Sequence, residues 1–319
     1  LEQAVLADRT GFDAVSLTEH HLINILMLPA PLQFAVKIAD HTQRIRILTS
    51  VVVLPLHDMR IYAGEVVCAD IFTNGRLMLG VGRGAFGFEM ERLGVPLDTS
   101  REKFDESLNV LQALLSKEEV SWDGKYYKFD PITIMPRPVR APQIMMAVMV
   151  PPGIHACTKR GFHIQTTPLS GNHQMMLDQV AAHKTAKAEM GEDGKHLTLS
   201  LSRVGFICKS PADRQAKIEQ ANDYYSRFDN VFTGPGIVEN GMIKPLPRKQ
   251  TIEDLADSLL ICTPQEMVDK LAPYAEAGVD RVILNVNFGA SQSETLDCIQ
   301  QFAEDVMPHF TDRATLAAE

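Results

Sequence analysis

The stretch Gly11-Phe12-Asp13-Ala14-Val15-Ser16-Leu17-Thr18-Glu19-His20-His21 decides the reading of this chain. Residues 13–18 form a short apolar run that predicts a buried strand. A glutamate and two histidines follow at its carboxyl end. Histidine is the side chain whose ordinary pKa lies nearest neutrality. Barrels of parallel strands present their reactive groups at the carboxyl ends of the strands, so this pair is placed for proton chemistry. The competing reading is two partly exposed loop histidines.

Working outward, six more β-rich runs appear at 45–53, 76–81, 143–149, 162–167, 197–208 and 280–288. Helical sequence lies between them at 31–41, 60–72, 100–116, 154–160, 173–190, 211–228, 264–277 and 292–307. The helix at 100–116 has Thr99 or Ser100 as its expected N-cap. Gly161 and Gly278 stand where helices should end. Residues 229–252 have no clean period and read as a long excursion, the kind of loop that forms a lid. Steady strand–helix alternation predicts an α/β chain of parallel βαβ units. The expected architecture is a TIM (β/α)8 barrel in one domain over residues 1–319, with a doubly wound sheet as the alternative. The eighth strand is expected upstream of Leu1.

Composition narrows the class. Of the 319 residues, 45% are hydrophobic and 22% charged, enough apolar sequence for a large core. A net charge of −9 argues against a general nucleic-acid binder, which needs a basic face. The five cysteines lie apart at 68, 157, 208, 262 and 298 without a C-x-x-C pair, so reduced thiols and a cytoplasmic location are expected. No apolar run approaches the roughly 18 residues of a membrane span. His41, His57 and His155 stand at no metal-ligand spacing from His20 and His21, so no metal is expected.

Two further segments carry chemistry. Residues 75–87 (GRLMLGVGRGAFG) contain G-x-G-x-x-G from Gly82 to Gly87, yet no second strand with an acidic end follows as a dinucleotide fold requires. A strand ending in glycine lets a flat ligand approach the backbone, and Arg83 can then reach an anion. A plain tight turn with a solvated arginine is the competing reading. Residues 148–154 (VMVPPGI) stand at a strand-to-helix junction where amides could hold a phosphate. Pro151 and Pro152 remove two of those donors.

Taken in order, these segments resemble the luciferase-like monooxygenase family, the flavin-dependent relatives of the bacterial luciferase α subunit. The resemblance runs through GFDAVSLTEHH, RIRILTSVVVLPLHDMR, GRLMLGVGRG, GKYYKFDPITIMPRPV, Thr263-Pro264-Gln265-Glu266 and the closing strand and helix. It implies a TIM barrel that takes reduced FMN from a separate NAD(P)H-dependent flavin reductase. The flavin reacts with O2 to a C4a-(hydro)peroxide that oxygenates an apolar organic substrate. The resemblance makes His20 the catalytic base and gives Arg83 the flavin phosphate. It places a non-prolyl cis peptide at Ser50-Val51 beneath the flavin ring. Glu19, Gly82, Val150, Gly153 and Ile154 join the expected cofactor site, and His21, Leu22 and Phe288 the substrate site. Val150-Pro151-Pro152 departs from the Ser or Thr usual at the phosphate turn. Gly82 replaces the luciferase cysteine, and residues 22–28 are more apolar than usual. A homodimer through helices 31–41 and 58–73 is also implied. Two alternatives remain open: a deazaflavin F420-dependent oxidoreductase, and a non-catalytic partner subunit like the luciferase β chain.

Overall fold

Continuous apolar runs become parallel strands because both faces of such a strand are covered. Leu77–Gly82 is the clearest case, with every residue buried. The computed structural model describes residues 1–140 and 142–310. Its strands are mostly parallel and alternate with helices, the α/β pattern of a TIM-barrel fold. The chain divides into two compact bodies. One comprises 14–145 and 228–244; the other comprises 1–13, 146–227 and the described residues from 245 onward.

In the first body, strand Ala14–Leu17 pairs in parallel with Arg46–Thr49, Leu17 opposite Thr49. Arg46–Thr49 pairs with Leu77–Gly82, Leu48 opposite Met78. The short strand Val52–Val53 also joins Leu77–Gly82, Val53 opposite Gly82. Helix Met59–Phe72 starts at Asp58, whose carboxylate accepts the Arg60 N–H, an ordinary cap. Helix Leu97–Ser116 begins three residues earlier than the sequence predicts. Pro96 is its N-cap residue, and no side chain caps it. The Thr99 and Ser100 hydroxyls turn back instead to the Pro96 and Leu97 carbonyls.

An antiparallel hairpin, Val120–Asp123 with Lys128–Ile132, follows that helix. The Glu106 carboxylate organises its turn, accepting the N–H groups of Lys125, Tyr126 and Tyr127. Residues 229–244 are likewise ordered. Val238–Glu239 pairs with Met242–Ile243 across Asn240 and Gly241, which both have positive φ. That is the two-residue hairpin turn Asn-Gly favours. Asn230, buried, donates to the Ile237 and Lys244 carbonyls at 3.0 and 2.7 Å and accepts the Ile237 N–H at 2.9 Å. One side chain thus ties both legs of the loop.

In the second body, strand Leu199–Ile207 pairs in parallel with His163–Thr166, Leu260–Cys262 and Arg281–Asn285. Leu260–Cys262 is a strand the sequence reading lacks. Helices Pro264–Ala277 and Gln292–Gln301 both open with capping boxes, Thr263 with Glu266 and Ser291 with Glu294. The final helix is shorter than expected, giving way to a π turn at Phe302–Val306. All five cysteines are free thiols. No helix among the described residues is long and apolar enough to cross a membrane.

Candidate active site

The loops that follow strands Ala14–Leu17, Val52–Val53 and Leu77–Gly82 bring five titratable side chains together in the first body. At the centre is Glu19, whose side chain has no solvent exposure. Its Oε2 accepts the Val53 N–H at 2.7 Å. Its Oε1 meets His21 Nε2 at 2.9 Å and His57 Nε2 at 2.8 Å. Burial pushes the Glu19 carboxyl up, but the bonds from His21, His57 and the Val53 amide outweigh it, and its pKa is lowered. The same contact raises the pKa of His21, against a smaller opposing effect of burial.

His20 is held separately. Its Nδ1 lies 2.9 Å from Glu89 Oε2, and the backbone N–H of His21 donates to Glu89 Oε1. Glu89 sits on the short helix Gly87–Arg92, which begins where the glycine-rich segment 75–87 ends. The His20 ring stacks on Phe86, centroids 4.5 Å apart and 13° from parallel. Phe228 and Phe232 brace Phe86 edge-on. The His57 ring stacks on the buried Tyr62 at 4.3 Å. Burial raises the Tyr62 pKa well above its ordinary value, so the phenol stays protonated.

Arg83 follows strand Leu77–Gly82 and donates only a long 3.5 Å bond to Ser100 Oγ. Burial and the neighbouring Arg101 lower its pKa. Neither arginine has a carboxylate partner among the described residues. Two guanidiniums near the first turn of helix Leu97–Ser116 therefore make a corner suited to an anion such as a phosphate. The Ser50-Val51 peptide is cis, as the resemblance implies. Leu22, Met27 and Met242 are exposed apolar side chains in a pocket that His20, His21 and Asn240 also line.

The remaining expected site residues belong to the second body. Val150 is exposed at the start of helix Pro151–Lys159, and no side chain caps that helix. The Ile154 N–H already donates to the Val150 carbonyl, and the Ile154 side chain is fully buried. With prolines at 151 and 152, Gly153 is the amide of this turn left to meet a ligand. A Cβ on Gly153 would lie 2.7 Å from the Val148 side chain. Phe288 is buried edge-on against Phe206, ring centroids 5.8 Å apart. The sequence reading weighs His57 only as a metal ligand and does not name Glu89. They lie 38 and 69 residues from the groups they bind, and no local spacing marks them.

A cluster of acids and imidazoles at strand carboxyl ends, in a body that also holds two guanidiniums without a carboxylate partner among the described residues, is the arrangement found in barrel enzymes. The family model of luciferase-like monooxygenases matches residues 1–281, and the chain belongs to that family. The oxygenase component of the flavin-dependent trigonelline monooxygenase of Acinetobacter baylyi is 27% identical, covering 98% of this chain and 89% of the relative. Two solved structures share the fold. The monooxygenase RslO1 from Streptomyces bottropensis superposes with a TM-score of 0.81 at 24% identity, covering 97% and 93% of the two chains. The oxygenating constituent of 3,6-diketocamphane monooxygenase from Pseudomonas putida, in complex with FMN, gives 0.78 at 16% identity, covering 97% and 92%.

Proposed function

We propose that this protein is the oxygenase of a two-component, FMN-dependent monooxygenase acting on an apolar organic substrate. The observation that carries the reading is the first-body constellation of Glu19, His20, His21, His57 and Glu89 beside Arg83 and Arg101. The residues fit the cofactor, because the guanidinium corner lacks an internal anion and suits a flavin phosphate. Bound in its reduced form, FMN supplies the electrons with which one atom of O2 enters the substrate.

The protein's own contribution has three parts. Arg83, with Arg101, would hold the phosphate, and the backbone at Ser50, Val51 and Gly82 would be the surface offered to the ring. Taken by itself, the second body's turn of Val150, Gly153 and Ile154 offers one amide to an anion. Weak phosphate chemistry there suits a flavin that arrives from a separate reductase. His20 takes and returns the proton the reaction moves, through the nitrogen Glu89 does not occupy. Glu19 sets the orientation of His21 and His57. The apolar side chains of Leu22, Met27 and Met242 receive the substrate and exclude water, with His21 beside them.

The protein works in the cytoplasm as a homodimer. Ile61 and Phe72 support the dimer: both are about two-thirds exposed on helix Met59–Phe72, a solvated position that apolar side chains leave on assembly. Parallel titration with FMN and F420 tests the cofactor. The reading expects tighter binding of reduced FMN and substrate-dependent oxygen consumption with a reductase, NADH and O2. Preferential F420 binding with hydride transfer and no oxygen uptake overturns it.

A further inference from the structure

We propose that Glu89 is the positioning residue that sets the tautomer of His20, leaving Nε2 as the bare nitrogen that accepts a proton. The inference rests on the reading of His20 as the proton acceptor. Glu89 is buried and presents both oxygens to the segment 20–21. Oε1 receives the His21 backbone N–H, and that contact has one polarity, because an amide only donates. Oε2 is thereby aimed at His20 Nδ1, 2.9 Å away. A carboxylate only accepts, so His20 must carry its proton on Nδ1. In the neutral ring Nε2 then holds the free lone pair. The stack on Phe86, itself braced by Phe228 and Phe232, prevents the ring from turning to exchange the two nitrogens.

Glu19 does not share this task. Its oxygens are taken by Val53, His21 and His57. Two carboxylates thus divide the imidazoles between them, Glu89 for His20 and Glu19 for the other two.

The same geometry dictates what Glu89→Gln does. The glutamine oxygen must stay on the His21 N–H, so its NH2 group faces His20 Nδ1. That donor requires a bare Nδ1 and moves the proton to Nε2. The substitution inverts the tautomer while keeping size and both contacts. Nitrogen-15 NMR of histidine-labelled protein without flavin reads this directly. The expected result is an Nδ1-protonated His20 in the natural protein, an Nε2-protonated one in Glu89→Gln, and a mixture in Glu89→Ala. In turnover, Glu89→Gln should lower kcat about 100-fold with KM and FMN affinity nearly unchanged. His20 signals that stay Nδ1-protonated in Glu89→Gln overturn the proposal, as does an unchanged kcat in a variant whose tautomer has inverted. Full activity of His20→Ala would remove the reading of His20 as base, and the NMR result would still decide what Glu89 does.

Discussion

Replacing Glu19 with leucine tests whether the buried carboxylate organises the site. The side chain has no exposure, and three donors converge on it from Val53, His21 and His57. Leucine fills similar space and accepts nothing. The Val53 N–H is then buried without a partner, at about 1–3 kcal/mol. The imidazoles keep about a quarter of their side-chain surface, so each can turn toward water at about 0.5–1.5 kcal/mol. The expected loss is about 3 kcal/mol, or a Tm lower by about 4–5 °C for a chain of this size. Glu19→Gln, which keeps one acceptor, should lose less. The pH dependence has a fixed sign. The Glu19 pKa is lowered by folding, so its stabilisation is present above the ordinary carboxylate range and lost as pH falls through the folded value. The His21 pKa is raised, so its share is complete below the ordinary imidazole value and lost as pH rises through the folded one. Thermal melts of natural protein and Glu19→Leu from pH 3 to 9 should therefore draw closer at the acid end, keeping the part due to the Val53 N–H, which a protonated carboxyl still accepts. A deficit below 1 kcal/mol at pH 7, or one that does not shrink in acid, refutes the reasoning.

Other expectations follow from separate parts of the molecule. Arg83→Ala should weaken reduced-FMN binding by about 10- to 100-fold, the worth of a charge-assisted contact, measured by anaerobic fluorescence titration. Asn230→Ala removes three hydrogen bonds from the helix Pro211–Phe232 to Ile237 and Lys244, and limited proteolysis should then cut within 233–244 at rates the natural protein does not show. Burial holds His163 and His183 neutral down to about 4, below their unfolded value, so stability should fall as pH drops from about 6.5 toward 4. His183→Gln should flatten that slope in urea melts. The proposed homodimer requires that natural protein sediment as a dimer and that Ile61→Glu combined with Phe72→Glu sediment as a monomer, with the Tm of the subunit little changed.

The strands were legible because each is an apolar run flanked by turn residues, and all seven expected runs contain strands. The hairpin Val120–Asp123 with Lys128–Ile132 escaped because its strands are largely polar and exposed, and the other missed elements are too short for periodicity. Leu260–Cys262 has three residues and merges with the helix before it. Gly87–Arg92 has six residues, and its first is the last glycine of the 82–87 motif. The hairpin at 238–243 did carry a signal, Asn240-Gly241, but its strands are two residues each and show no alternation. The start of helix Leu97–Ser116 was misplaced because hydroxyls at 99 and 100 mimic a cap, while Pro96 before the helix was the better mark. In the site, Glu19 and His20 announced themselves at a strand end. Their partners His57 and Glu89 come from other βα loops, and only folding brings them within 3 Å.

The most direct measurement mixes anaerobic protein and reduced FMN with O2 in a stopped-flow spectrometer. Bound flavin should reoxidise with kinetics distinct from those of free FMN, and His20→Ala should bind flavin normally yet lose substrate oxygenation. A reoxidation trace that superposes on free FMN would contradict the account, as would a His20→Ala variant that still oxygenates at the natural rate.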